Sequence, residues 1–559
     1  MIFFQLVVIA ATVLAITFSL GYVILRAVTN LTVKECLALA GACGMALQGA
    51  IAFIGFLLGL SGRNFFILTT VALFSIALAL LLRKPTKTEP TGNYSWLYLL
   101  MVFWITLVGI QLFVLIYSGA NWYGDWWMHY DLAKVYLGQQ ATDTIYFNRY
   151  IVSSRTPLFN LFSSYYLGLL GNQFSIYQLS SILPEVFLLA MIPLLLRHYQ
   201  VTIAVILVAF NGHMNSTSIY PWPKILASLY VITAIYFYLD LRKNSQRTLF
   251  SQSAVGWGLS SGLAMLSHPS TLFYVAAMVA DNIWINRRNF VNVLRQLLAP
   301  LSIAFVTLLP WILWGISEYG LAEFLQALSN TTGTMSTIER VMNALGNLTS
   351  TLVPIPLGKA LIGFDTNSPI IGQIGNPWLR FYYNVLPGAL NITITCLLLF
   401  EGVRRYFRKS SLQSILPNSL FLSVIVFGFL GGCLLQQGFN TGGLVGESMT
   451  PIVFLLLLVA SEYFYDLGVK FRQLFLLILA GEFLISRGLH LVFLGIGHPF
   501  IWDDNLSLKN DKNLVFARDL MATPWPGFLI TTLSFILLLV IGLKACSREQ
   551  RISNSANPR

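Results

Sequence analysis

Residues 1–25 read MIFFQLVVIAATVLAITFSLGYVIL, an apolar run that ends just before Arg26. About 20 such residues are enough to cross the hydrocarbon core of a bilayer as a helix. The run has no basic segment before it and no clear cleavage site, and it is longer than the apolar part of a signal peptide. We therefore expect a retained membrane helix here.

Similar apolar runs recur through all 559 residues, of which 56% are hydrophobic and only 10% are charged. The mean hydropathy is +0.72. A soluble protein carries about 25% charged residues, so this composition excludes a soluble enzyme, a disordered chain and a fibrous protein. The runs predict an all-α fold, a polytopic transmembrane helical bundle of about 13–15 spans with interfacial helices in its extracytoplasmic loops. They lie near 2–25, 37–60, 64–82, 96–117, 174–196, 199–211, 225–241, 254–267, 269–285, 297–317, 381–400, 415–435, 449–465, 472–490 and 525–543.

The net charge of +12 is distributed unevenly between the connecting segments. With the N-terminus outside and the C-terminus in the cytoplasm, 22 of the 34 basic residues fall in cytoplasmic segments. Cytoplasmic loops of membrane proteins carry an excess of Lys and Arg, so this bias predicts the orientation. It also places three long loops outside the cell, at 118–173, 318–380 and 491–524.

These boundaries predict four parts of the chain. Residues 1–95 form N-terminal transmembrane helices, and 96–317 form a transmembrane core that contains the first outer loop, 118–173. Residues 318–380 form the second outer loop, and 381–559 form C-terminal helices with the outer loop 491–524. The run 199–211 is short, and the run 254–285 is broken at His268 and Pro269. Short or broken helices are tolerated where they line a cavity.

The first outer loop contains GDWWMHYDLAKVYLG, residues 124–138, which fits an amphipathic interfacial helix. Asp125 and His129 are four residues apart and share one face of such a helix. In one interpretation the helix only lies on the membrane, with Asp125 near its N-terminus as a cap. In the other, Asp125 accepts a proton from a hydroxyl, while His129 orients it or helps to hold a divalent cation. Asp131 is the weaker candidate, because it points away from His129.

Two basic residues belong to proline-containing motifs at the predicted outer face. Arg155 in SRTPLF is either an interfacial Arg with its stem along apolar surface or a phosphate clamp, since guanidinium pairs with phosphate oxygens in a fork. Lys224 in YPWPK, residues 220–224, opens a helix. A cation is unfavourable there because of the helix dipole. We expect an anionic ligand at Lys224, with ordinary interfacial anchoring as the alternative.

Two further groups lie near the predicted outer ends of spans. His268 stands at the turn of the broken span in SHPS, on the same side as Asp125, where a structural role is the commoner one. Arg487 lies in the penultimate span, with Glu482 five residues before it. An ionisable residue within a span is a candidate for function by default, and the same applies to Glu185.

The order of these motifs resembles that of the GT-C superfamily of polyprenyl-phosphate-sugar-dependent membrane glycosyltransferases. The motifs are Asp125 in GDWWMHYDLA, then SRTPLFNLF, YPWPK and SHPS. They look like the bacterial branch related to glycosyltransferase family 39 and the lipid A aminoarabinose transferase. The detailed resemblance covers about 118–317.

The resemblance implies an inverting sugar transfer on the extracytoplasmic side of the bacterial inner (plasma) membrane. The donor would be a polyprenyl-phosphate sugar, the acceptor a glycan, lipid or protein, and no nucleic acid would be bound. Asp125 would be the catalytic base, and Arg155, Lys224 or Arg487 would stabilise the departing phosphate. His129, His268, Tyr220 and Trp222 would complete the substrate-binding site, the two aromatic residues by stacking on the sugar or by anchoring at the interface. No cofactor is certain, and a divalent cation at Asp125 and His129 is one option.

Two other functions fit parts of the sequence. A lipid or glycan transporter or flippase is compatible with the broken helix and the acids within spans. A polysaccharide polymerase or ligase would share the lipid-linked substrate and a large outer loop, and would depend more on outer-loop arginines. Convergence of Asp125, Lys224 and His268 in one outer cavity would favour the transferase.

Overall fold

The apolar runs form α-helices in the computed structural model of the chain, and its described residues contain no β-strand. It describes residues 2–83, 94–113, 123–146, 150–219, 221–243, 249–329, 336, 338, 390–408, 415–435, 449–495 and 525–555, although not the side chains of 2, 113, 123–127, 216, 219, 329, 432–435, 486–495, 525 and 547–555. The helices of the first half are α1 (Ile2–Val28), α2 (Val33–Leu57), α3 (Arg63–Arg83), α4 (Ser95–Phe113), α5 (Tyr123–Val135), α6 (Leu158–Leu170), α7 (Phe174–Ser180), α8 (Leu183–Ala190), α9 (Ile192–Leu195), α10 (His198–Ala209), α11 (Gly212–Ile219), α12 (Pro223–Lys243), α13 (Gln252–Ser267) and α14 (Thr271–Asn286). They are followed by α15 (Phe290–Tyr319), α16 (Leu321–Ser329), α17 (Ile392–Phe407), α18 (Asn418–Leu435), α19 (Thr450–Asp466), α20 (Val469–Gly495) and α21 (Trp525–Ser555).

Eight helical segments of the described chain are long and apolar enough to cross a membrane. The segment over 174–195 is 89% buried inside the protein, whereas only 11% of α3 is buried. Leu68, Val71 and Ile76 on α3 each expose more than half of their surface. A soluble protein does not expose apolar faces of this extent, whereas lipid would cover them. The predicted all-α, polytopic membrane fold is therefore confirmed.

Two local features differ from the simple division into spans and loops. Residues 158–170 of the predicted first outer loop form α6, which packs against α2, α3, α5 and α7. The sequence did not reveal it as a bundle helix because 13 residues are too few to cross a bilayer. The run 174–196 is divided into α7, α8 and α9, with Pro184 and Pro193 in the first turns of the last two. Proline suits that position because the first helical N–H has no partner within the helix.

Glycines bring the first two helices into direct backbone contact. A Cβ on Gly21 of α1 would lie 1.9 Å from the carbonyl oxygen of Ala40, and one on Gly44 of α2 would lie 2.0 Å from that of Thr17. In a membrane, where water does not drive helices together, small residues promote association by allowing such close packing. The helix pair then supports α6 and α8.

Close packing at glycines also positions α13, whose last residue precedes His268. Gly258 and Gly262 are one helical turn apart and face α15, and a Cβ on Gly258 would be 2.5 Å from the carbonyl oxygen of Pro300. α13 also packs along α12. The break predicted between 254–267 and 269–285 is present, since α13 ends at Ser267 and α14 begins at Thr271. The end of α13 thus lies beside the start of α12.

The connections that carry most of the basic residues meet at one end of the bundle. Lys34 donates to the carbonyl oxygen of Pro193 over 2.7 Å, and the N–H of Asn30 donates to Gln252 Oε1 over 3.0 Å. Arg242 binds Asp281 over 2.6 Å and contacts Ser419 Oγ at 3.4 Å. Segments that are far apart in sequence therefore share this end, here called the basic end.

The opposite end collects the described parts of the first two predicted outer loops. The Tyr319 hydroxyl donates to the carbonyl oxygen of Thr142 over 2.6 Å, and the Thr142 hydroxyl donates to Glu318. Helix α16 packs on the 3-10 turn Val152–Ser154. Most of the predicted loops 318–380 and 491–524 lies outside the described residues.

Candidate active site

The predicted interfacial helix exists as α5, Tyr123–Val135. It carries Asp125 one turn before His129, and the Asp125 side chain lies outside the described part of the structure. His129 is buried, with 3% of its surface exposed. The helix is thus half inside the protein, and not merely on the membrane surface.

Asn160 of α6 holds the His129 ring in place. His129 Nδ1 lies 2.9 Å from Asn160 Oδ1, and the Phe159 ring meets the imidazole edge-on with ring centroids 6.0 Å apart. Since an amide oxygen only accepts hydrogen bonds, this contact places a ring proton on Nδ1. Sequence reasoning missed Asn160, although a buried amide within an apolar helix is itself a signal of a specific partner.

The weaker candidate, Asp131, is engaged in a local structural contact. Its carboxylate forms a 2.7 Å ion pair with Lys134 and accepts a hydrogen bond from Gln140 over 3.2 Å. Ion pairs between residues three apart are common on helix surfaces and stabilise them weakly. The arrangement explains Asp131 without a catalytic role.

Arg155 is held by the turn that precedes α6. Its backbone closes the 3-10 turn Val152–Ser154 by donating to the carbonyl oxygen of Val152. The guanidinium carbon lies 4.5 Å from the centre of the Tyr150 ring, a cation–π contact. Pro157 then directly precedes α6, which begins at Leu158. This turn fixes Arg155 next to the protein interior rather than on a free loop.

Lys224 is placed by the proline-flanked turn in YPWPK. Pro223 and Lys224 are the first two residues of α12, and the carbonyl oxygen of Pro221 accepts a hydrogen bond from Tyr177 over 3.0 Å. Trp222 is 3% exposed, so it packs within the protein. The Lys224 ammonium lies 6.0 Å from the centre of the Trp222 ring.

Lys224 and His268 meet directly, although they are 44 residues apart. Lys224 Nζ lies 2.8 Å from His268 Nε2. On the other side of the ring, His268 Nδ1 lies 2.7 Å from Ser270 Oγ and 3.2 Å from the Ser270 backbone nitrogen. Ser270, the second residue that sequence reasoning missed, thus sets the orientation of the imidazole.

Three predicted site residues act electrostatically on a fourth, His268, which lies in the turn between α13 and α14. Partial burial lowers the pKa of the His268 imidazole well below its usual value, and the charges of Lys224, Arg155 and His129 lower the pKa further. Burial and like charge both disfavour the protonated ring. All of these groups are basic, and they come from three other segments of the chain. The cluster is therefore suited to a negatively charged ligand.

The other predicted site residues fall outside this description. Tyr220 is not among the described residues, and Arg487 lies in α20 with an undescribed side chain. Glu482, which we considered as a partner of Arg487, accepts a hydrogen bond over 2.9 Å from the N–H of Thr393 at the start of α17. Within the described ranges there is no group of three or more His, Cys, Asp or Glu that could hold a metal ion, and a cation that involves Asp125 remains a prediction.

No protein-family model and no curated protein sequence matches the chain. Among solved structures, ArnT from Cupriavidus metallidurans bound to undecaprenyl phosphate matches with a TM-score of 0.47 and 13% identity, over 81% of this chain and 77% of that one. The archaeal oligosaccharyltransferase AglB from Archaeoglobus fulgidus, in complex with an inhibitory peptide and a dolichol-phosphate, matches with a TM-score of 0.41 and 13% identity, over 79% of this chain and 56% of that one.

Proposed function

We propose that the chain is an integral membrane glycosyltransferase that moves a sugar from a polyprenyl-phosphate donor to an extracytoplasmic acceptor with inversion. One observation carries the proposal: Lys224, Arg155, His129 and His268 converge at the end of the bundle opposite the basic end. Lys and Arg side chains bind phosphate oxygens through charge-assisted hydrogen bonds. A lipid phosphate is the anion that a membrane protein meets at such a position.

The proposed reaction removes a proton from the acceptor hydroxyl and adds a negative charge to the leaving phosphate, and each change needs a partner in the site. The acceptor hydroxyl attacks the anomeric carbon from the side opposite the phosphate, and the bond from that carbon to the phosphate oxygen breaks. Asp125 takes the hydroxyl proton. Lys224 and Arg155 stabilise the negative charge that develops on the leaving phosphate, and Arg487 is a further candidate for this role. A single displacement of this kind inverts the anomeric configuration.

The sidedness of the site is part of the proposal. Lys and Arg are enriched in cytoplasmic loops, so we assign the basic end to the cytoplasm and the Lys224 cluster to the extracytoplasmic face of a bacterial inner membrane. The exposed apolar faces of α1, α3 and α15 would contact lipid, and the lipid tail of the donor would reach the site from the bilayer. No nucleotide-binding domain is then required.

One observation fits the alternative of a transporter or flippase. Glu185 of α8 is fully buried, in a segment divided by prolines. Transporters place ionisable groups and broken helices near the middle of the bilayer. A transporter would lose activity on replacement of Glu185 by Gln, whereas the transferase would depend on Asp125 and Lys224.

The test is a direct assay of transfer. The purified protein is incubated with polyprenyl-phosphate sugars and an extract of cell-envelope glycans and lipids, and release of the free lipid phosphate is measured. We expect release from wild type and strongly reduced release from Lys224→Ala. Lys243→Ala is the matched control, because Lys243 is an exposed residue at the other end of the same helix. Movement of the lipid across vesicle membranes with no release of lipid phosphate would instead establish a flippase.

A further inference from the structure

We propose that Lys224 and His268 form a proton-accepting pair, which gains one proton when the bound phosphate changes from a diester to a monoester. The inference rests on the proposed function, because it requires a lipid phosphate as the leaving group at this cluster. It concerns how the site balances charge during the reaction, and it assigns His268 a role beyond contact with the substrate.

The geometry limits the charge that the pair can hold. A distance of 2.8 Å between Lys224 Nζ and His268 Nε2 requires one donor and one acceptor. A lysine ammonium only donates, and a protonated imidazole donates from both nitrogens. The two side chains therefore cannot both be protonated while they keep this contact, and together they carry at most one positive charge.

Ser270 restricts the other side of the ring in the same way. Its hydroxyl and its backbone nitrogen both contact His268 Nδ1, at 2.7 and 3.2 Å. If Nδ1 donates to the hydroxyl, Nε2 accepts from the Lys224 ammonium. If Nδ1 accepts from the backbone N–H, Nε2 donates to a neutral Lys224 amine. The first arrangement holds a single positive charge and can take up one more proton once the direct contact between the side chains opens, whereas the second arrangement is neutral.

The surroundings explain why the extra proton is absent before the reaction. Among the described side chains, the titratable groups that act on His268 are Lys224 at the start of α12, Arg155 before α6 and His129 of α5, and each of these three opposes a positive charge on the ring. A negative charge placed between these groups has the opposite effect, since it raises the proton affinity of a nearby imidazole. The protonation of the pair therefore depends on the charge of the ligand.

The reaction supplies this change in charge. A sugar linked to a lipid phosphate is a phosphodiester with one negative charge. When the bond between the anomeric carbon and the phosphate oxygen breaks, its electron pair stays on that oxygen and the product becomes a monoester with two negative charges. The acceptor hydroxyl loses one proton as its oxygen bonds to the sugar. In the proposed mechanism Asp125 takes this proton first and passes it to the pair, so that Asp125 is ionised again and the net charge of the site is unchanged. Lys224 and His268 then both donate to phosphate oxygens.

The inference can be tested without turnover, by measuring the protons that accompany ligand binding. Farnesyl phosphate serves as the monoester and its methyl ester as the diester, both added to the purified full-length protein in detergent. Calorimetric titrations in buffers with different ionisation enthalpies give the number of protons taken up. At about pH 7.5 the free monoester is almost entirely a dianion, because its second pKa is about 6, so its own ionisation contributes little.

We expect wild type to take up close to one proton with the monoester and almost none with the diester. His268→Gln keeps a group that accepts from Lys224 but cannot be protonated, so uptake with the monoester should disappear. His198→Gln is the matched control, since His198 lies at the start of α10 toward the basic end, and this variant should behave as wild type. Equal uptake in wild type and His268→Gln, or no uptake in wild type, would overturn the inference and leave the phosphate site intact. Failure of wild type to bind either ester would instead remove the proposed function, and this inference with it.

A measurement on wild type alone covers the possibility that His268→Gln does not fold. If binding takes up one proton, affinity for the monoester weakens by up to about tenfold per pH unit above pH 7, whereas affinity for the diester stays nearly constant. Parallel pH profiles for the two esters would overturn the proton-accepting role of the pair.

Discussion

Replacement of Lys224 by Ala is the most informative perturbation of the proposed phosphate site. The change removes the ammonium that contacts His268 Nε2 at 2.8 Å and leaves the helix start at Pro223 intact. A hydrogen bond to a charged group contributes about 1.5–3 kcal/mol. Loss of one such bond to the donor phosphate predicts roughly 10- to 150-fold weaker binding.

The structure also predicts how this loss varies with pH. The Lys224 charge is one of the causes that lower the pKa of His268, so the pKa of His268 rises when Lys224 is absent. A His268 with a raised pKa is protonated more completely as the pH falls, and a protonated ring replaces part of the lost charge. The loss of affinity for a lipid phosphodiester in Lys224→Ala, measured against wild type at the same pH, should therefore be smaller at pH 6 than at pH 8.

The assay is direct binding of farnesyl methyl phosphate to the detergent-purified protein, with Lys224→Arg and Lys243→Ala measured alongside. Lys224→Arg keeps the charge and should recover part of the affinity, although the longer, planar guanidinium favours two-pronged contacts. Lys243→Ala should bind as wild type does. Unchanged binding by Lys224→Ala at both pH values would refute the reasoning, and the phosphate would then have to be sought at Arg155 or Arg487.

Three further predictions test other parts of the argument. Asp125→Asn should reduce transfer by about 10²–10⁴-fold, as expected for loss of a general base, with donor binding and membrane insertion unchanged; near-normal turnover would remove Asp125 from the mechanism. Asn160→Leu should lower turnover several-fold, because it removes a hydrogen bond of about 1 kcal/mol that orients His129. If the variant matches wild type in both turnover and donor affinity, the contact is purely structural. Asp281→Asn should destabilise the fold by about 2 kcal/mol, because it breaks the ion pair with a partly exposed Arg242. The protein in detergent should then unfold at a lower temperature, with phosphate binding unchanged below that temperature. An unshifted unfolding transition would contradict the prediction.

The sequence by itself was sufficient for the class of fold. Long apolar runs with few charges have no stable alternative to helices in a membrane, because every backbone polar group must be satisfied within the segment. The break at His268 and Pro269 was also evident, since proline interrupts the hydrogen bonds of a helix. Asp125 and His129 could be placed on one helix because that relation depends only on spacing of four residues.

The tertiary structure alone decided which distant residues meet. Lys224 begins α12 and His268 follows the end of α13, and their 2.8 Å contact exists because α13 packs along α12 and ends beside its start. Likewise, α6 is too short to be recognised as a bundle helix, yet it buries Asn160 against His129. Local sequence patterns report periodicity and length, whereas packing between helices depends on side chains that are far apart in the chain. For this reason the candidate residues could be named from the sequence, but their assembly into one basic cluster could not.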